Sequence, residues 1–99
     1  MSKLLTEELR KALPKLREQE GSDDPIVYAK FFFPASGWAW FVTEGEAQDD
    51  DFLFYGHVIG FDSEWGYFTL RELEEVEVVG LRIERDLYFE TTPFSSIRC

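Results

Sequence analysis

Apolar residues recur near the start of the chain at Leu5, Leu9, Ala12, Leu13 and Leu16, the spacing of one helical face. Thr6 is placed to cap that helix, and Glu7 and Glu8 sit in its first turn, where negative charge suits the helix dipole. Pro14 lacks an amide proton and restricts Leu13. A helix is therefore expected over residues 6–13, with a second short turn from Pro14. Gly21-Ser22-Asp23-Asp24-Pro25 reads as a loop.

From Ile26 the pattern changes to β-branched and aromatic runs. Residues 26–33 (IVYAKFFF) predict a strand, Pro34–Gly37 a turn, and residues 38–43 (WAWFVT) a second strand. In that strand Trp38, Trp40 and Val42 share one face, and Ala39, Phe41 and Thr43 the other. Residues 44–51 (EGEAQDDD) include five acids and predict a solvated loop rather than a strand. Residues 52–61 (FLFYGHVIGF) are almost continuously apolar, as expected of a central strand covered on both faces. Within it, Gly56 and Gly60 mark either bulges or the close approach of a helix. A turn at Asp62-Ser63-Glu64 leads to a fourth strand over 65–68. Thr69 and Glu72 have capping-box spacing, predicting a short helix over about 70–76 with Leu70 and Leu73 inward and Glu72, Glu74 and Glu75 toward water. Residues 81–90 predict a last extended segment, and residues 91–99 a loosely held tail. The fold class is α+β, a single domain over residues 1–99. It has an antiparallel sheet of about four to five strands, with an N-terminal helix and a short helix near the C-terminal third packed on one face.

Charge changes the picture from fold to partner. The chain has 20 Asp and Glu against 10 Lys and Arg, a formal net charge of −10 over 99 residues. The first 19 residues are mildly basic, so the acidity belongs to the body. Direct nucleic-acid and acidic-membrane binding are disfavoured, because both need a basic face. The 17 % aromatic content argues for a folded core despite that charge. One cysteine excludes an internal disulfide and a multi-cysteine zinc site. The N-terminal MSKLLTEELRK has no apolar core of a signal peptide, and no run reaches the ~18 residues of a membrane span, so a cytoplasmic location is expected.

No residue pattern points to catalysis, a metal or a cofactor. His57, the single histidine, sits mid-strand and reads as a partly buried structural side chain. Cys99 is terminal and lacks a fixed electropositive setting. The acids at 44–51 lack the glycine and glutamate positions of an EF-hand. Arg85, between Glu84 and Asp86, is expected to fix the final strand through an ion pair or hydrogen bond. The tryptophans have two readings. Either they close the core against the first helix, or one or two stand exposed as partner anchors.

Several stretches together resemble one family. They are Leu4-Leu5-Thr6 with Leu13-Pro14, Ile26–Phe32 (IVYAKFF), Trp38-Ala39-Trp40, Gly60-Phe61, Gly66–Leu70 (GYFTL) with Glu72-Leu73-Glu74, and Glu84–Glu90 (ERDLYFE). The pattern is similar to a family of small bacterial proteins, frequent on plasmids, phages and integrative elements, catalogued as a domain of unknown function. The resemblance offers no catalytic residues. It implies an accessory gene of a mobile element, serving replication, transfer or evasion of host defence.

Charge and resemblance together lead to an expected function. The protein is read as a non-enzymatic acidic binder of a basic nucleic-acid-binding host protein or complex, acting as a nucleic-acid mimic in an anti-restriction or anti-CRISPR role. Same-face strand residues recur at roughly 6.5–7 Å, a spacing that resembles neighbouring phosphates. The expected contact residues are Glu44, Glu46, Asp49, Asp50 and Asp51, then Asp62 and Glu64, then Glu72, Glu74, Glu75 and Glu77, with Trp38, Trp40 and Trp65. The alternative is an adaptor or regulator of plasmid replication or transfer that binds through an aromatic face.

Overall fold

The first helix, α1 (Glu7–Ala12), starts where its cap predicts: the Thr6 hydroxyl accepts from the Leu9 N–H at 3.2 Å. It stops before Pro14. The structure, a computed structural model describing residues 3–97, continues with β1 (Ile26–Val27), β2 (Ala29–Phe32), β3 (Ala39–Gln48), β4 (Asp51–Ile59) and β5 (Ser63–Thr69). Then come α2 (Leu70–Glu74), β6 (Glu77–Val78), β7 (Leu81–Arg82), β8 (Glu84–Arg85), β9 (Thr92–Pro93) and a single 3-10 turn at Phe94–Ser96. Cys99 lies outside the described residues. No helix among them is long and apolar enough to cross a membrane.

The main sheet has five antiparallel strands in the order β5-β4-β3-β2-β8. Because β4 is an interior strand covered on both faces, its alternating side chains enter two different cores. Phe52 and Phe54 pack with Phe31, Val42, Phe68 and Leu73 beneath Leu5, Leu9 and Leu13 of the N-terminal segment. On the opposite face Val27, Ala39 and Phe41 form a smaller core with Ile59, Phe89, Phe94 and Ile97. The α+β expectation holds, with both helices on the larger core and Thr69 capping α2 through a 3.1 Å bond from the Glu72 N–H.

Four expectations need correction. The 44–51 segment is not a loop. β3 and β4 run through it and turn at Asp49-Asp50, with Asp49 in the left-handed region at φ 53°. Alternation of Glu44, Glu46 and Gln48 on one strand face outweighs acidic composition, and Asp tolerates the positive φ of a tight hairpin turn.

The tail is pinned rather than loose. β9 pairs with β1, and the Ser95 N–H and hydroxyl donate to the Asp24 carboxylate at 2.9 and 2.6 Å. Burial of Phe94 and Ile97 on the bare sheet face supplies the driving force.

Residues 81–90 do not form one strand. Residues 77–82 fold into a hairpin around Val79 and Gly80, both at positive φ (53° and 79°). Only Glu84 and Arg85 join the sheet, and the Asp86 carboxylate accepts from the Tyr88 N–H at 3.0 Å, turning the chain away. Arg85 does form its expected bond, to the Thr6 hydroxyl at 3.1 Å, tying the edge strand to the cap of α1.

Finally, the run 26–33 is not one strand: it breaks at Tyr28 into β1, which pairs with β9, and β2, which joins the main sheet. After Pro14 the expected turn does form. Residues 16–21 form successive turns, held from the sheet side as described below.

Candidate functional site

The register of β3 against β4 shifts between Val42 and Glu44. This bulge decides where the acids go. Without it, Glu44 and Glu46 would point into the larger core; the extra residue turns them to the opposite face. There Glu44, only 4 % exposed, accepts from the Arg17 and Gln19 N–H groups, both at 2.8 Å. Glu46 accepts from the Leu16 N–H at 3.1 Å. The Gln19 amide completes the clamp, donating to the Ile26 and Thr43 carbonyls (2.9 and 2.8 Å) and accepting from the Ile26 N–H (2.6 Å). The irregular 14–20 segment is therefore laid across the sheet by carboxylates, not by its own propensity.

Two glycines let the sheet close around this geometry. A Cβ on Gly56 would collide with the Phe41 carbonyl oxygen beside the bulge. A Cβ on Gly60 would meet the Trp38 indole, so that approach is to a ring rather than to a helix.

The clamp leaves a groove of about 460 Å³ between the 17–25 segment and the β4–β5 ladder. Arg17, Glu20 and Asp23 stand on one side, Glu44 and Thr43 between, and Tyr55, Trp65 and Tyr67 on the other. Tyr55 lies 4.9 Å from Tyr67 and 6.0 Å from Trp65, ring centre to ring centre. Trp65 is 38 % exposed and Tyr67 57 %. Burial, then the Tyr67 phenol and the charges of Glu44 and Glu20, pushes the Tyr55 hydroxyl above its ordinary pKa.

Next to the groove, His57 packs 5.1 Å from Trp65 and 4.8 Å from Phe94, with Nδ1 buried and without a hydrogen-bond partner. Desolvation lowers its pKa below the ordinary 6.5. The unfolded chain thus takes up a proton at a higher pH than the folded one, so the stabilisation is complete above the ordinary value and is lost as pH falls below it. Urea midpoints should decline between about pH 7 and about pH 5, and His57→Gln should flatten that slope. An identical slope in the variant would contradict this placement.

The expected contact residues do not form one array. Glu44 and Glu46 are committed to the clamp. Asp50 pairs with Arg71 at 3.0 Å, and Asp51 accepts from the Arg71 N–H at 3.1 Å, joining Thr69 at the start of α2. The Arg71 side chain holds the Asp50 carboxyl below its ordinary pKa, and at Asp51 desolvation is outweighed by bonds from the Phe52 and Arg71 N–H groups and the Thr69 side chain, with the same net direction. Asp49 and Glu74 line the same corner, together with Arg10 and Arg71, so its charge is mixed. Neutralising Asp49, Asp50 and Asp51 together would therefore disturb α2 as well as remove charge.

Asp62 and Glu64 are exposed at the far end of β4 and β5, some 27 Å away by strand length. Glu72, Glu74 and Glu75 face water as expected, and Glu77 pairs with Arg82 at 2.6 Å on the surface. Trp40 packs on the larger core and Trp38 lies half-buried 6.0 Å from it, on the face opposite Trp65.

Sequence reasoning singled out Trp65 but missed Glu20, Asp23, Tyr55 and Tyr67. The alternation of Tyr55 with His57, and of Trp65 with Tyr67, was the available signal. Among the described residues no three His, Cys, Asp or Glu side chains converge as a metal-binding group.

No curated protein and no solved structure matches the chain. A family model matches residues 4–97, nearly the whole length, and the chain belongs to that family, described as Protein of unknown function (DUF2958).

Proposed function

We propose that this protein works by binding rather than catalysis, and that its partner is a basic, nucleic-acid-handling protein of the bacterial cytoplasm. One observation supports this most. Of the 20 acidic side chains, only Asp50 and Glu77 form ion pairs and only Glu44 is buried among the described residues. A surface with this much uncompensated negative charge attracts a basic groove and accelerates association with it.

In the leading reading the protein occupies that groove in place of nucleic acid, as an inhibitor of a host defence enzyme encoded by a plasmid or phage. The contributing acids would be Asp62, Glu64, Glu72, Glu74 and Glu75, together with Glu20 and Asp23 on the groove rim. A second reading, an adaptor for plasmid replication or transfer, is favoured by the partly exposed rings of Trp65 and Tyr67.

A competition assay separates the two. Under mimicry the partner's own nucleic acid displaces this protein across a salt series. Simultaneous occupancy of the partner by both would sink mimicry and favour the adaptor.

A further inference from the structure

We propose that the groove between residues 17–25 and the β4–β5 ladder seats a basic side chain, Arg or Lys, from an exposed peptide segment of the partner. The inference rests on the basic-partner reading and gives it a specific seat. Three properties of the groove select a cation. Its ladder side offers the rings of Tyr55, Trp65 and Tyr67, with Tyr55 in contact with each of the other two, and the electron-rich face of such rings attracts a guanidinium or ammonium. The facing side offers Glu20 and Asp23, which a cation lying on those rings would meet. Between the two sits Glu44, whose carboxylate is buried and bonded only by backbone N–H groups, with no ion-pair partner among the described residues. Its charge is therefore screened by salt far less than that of an exposed acid. Among the described residues Arg17 is the single basic one lining the groove, so three carboxylates outnumber one cation there.

The same features reject other occupants. A nucleotide could stack on Trp65 and Tyr67, but its phosphate would enter the field of Glu20, Asp23 and Glu44. A purely apolar side chain would cover the rings and desolvate those carboxylates without pairing them. A basic side chain satisfies both sides at once: its stem covers aromatic surface and its head reaches the acids.

The test titrates the full chain with a hexa-arginine peptide, and separately with a hexa-citrulline peptide of the same shape but no charge. Backbone amide and tryptophan indole signals are followed by NMR. The proposal expects the Trp65 indole and the amides of Tyr55, Tyr67 and residues 20–23 to shift with the arginine peptide and not with the citrulline peptide. Tyr67→Ala, at an exposed position, should weaken binding about three- to fivefold, whereas Tyr67→Phe, which keeps the ring, should bind as the parent does. Glu20→Gln combined with Asp23→Asn should weaken binding and reduce its salt dependence.

Shifts confined to α2 or the β4–β5 turn, with the groove silent, would overturn the seat while leaving the basic-partner reading intact. No shift anywhere would count against both. Equal binding of the citrulline peptide would exclude recognition of a cation.

Discussion

Gly56→Ala is expected to unfold the domain or to cost more than about 3 kcal/mol, a large part of the ~5–10 kcal/mol available to a chain of this size. Gly56 lies at the centre of β4, paired with Val42 on one side and Gly66 on the other. Its missing side chain is where the Phe41 carbonyl oxygen sits, beside the bulge. The obstacle is backbone, so no rotamer change relieves it. The strands must move apart, and the β3–β4 ladder that divides the two cores goes with them. Gly66→Ala is the matched control. It occupies the neighbouring strand with open space around the added carbon, and should change stability by no more than about 0.5 kcal/mol. Urea denaturation of both variants checks the pair. Equal midpoints would mean that the close approach at the bulge is not a requirement of the fold.

Glu44→Ala should cost about 3 kcal/mol or more. The buried carboxylate takes two short hydrogen bonds from the backbone of the 14–20 segment, and its removal leaves those partly buried N–H groups without their acceptor. Charge-assisted bonds of this kind contribute about 1.5–3 kcal/mol each, and an unsatisfied buried donor adds its own penalty. Glu44→Gln keeps one acceptor oxygen and should fall between Ala and the parent. The loss should also be local before it is global. Amide exchange at Leu16, Arg17 and Gln19 should accelerate in the Gln variant while the β4 amides stay protected. Unchanged exchange at those three positions would contradict the clamp.

The residues behind these two predictions show where sequence reading works and where it stops. Thr6 and Thr69 were legible as caps because an N-cap is a local device, complete within four residues. Extended structure in 26–33 and 52–61 was legible from β-branched and aromatic composition, but not the break at Tyr28 that sends β1 to pair with β9 and β2 into the main sheet. Residues 44–51 were misread because acidic composition masked the two-residue alternation of Glu44, Glu46 and Gln48. A carboxylate that serves as acceptor for another segment looks, in sequence, like one that faces water. Phe94 and Ile97 were missed for a related reason. Their partners lie in β1, β3 and β4, and nothing in a short polar tail announces a bare sheet face elsewhere. The groove was half legible. Trp65 stood out by residue type and Tyr67 shares its strand face two residues on, but Tyr55 joins them only through the β4–β5 register, and Glu20 and Asp23 only through the clamp on Glu44.

The proposed function is tested most directly by capture from bacterial lysate on the immobilised protein, followed by elution in rising salt. Proteins retained at low salt should leave as the salt approaches about 1 M, where screening shortens the reach of charge to about 3 Å. The released partner should be basic and should bind nucleic acid in a separate assay. Retention indifferent to salt, or an eluted partner that is acidic and has no affinity for nucleic acid, would contradict the account.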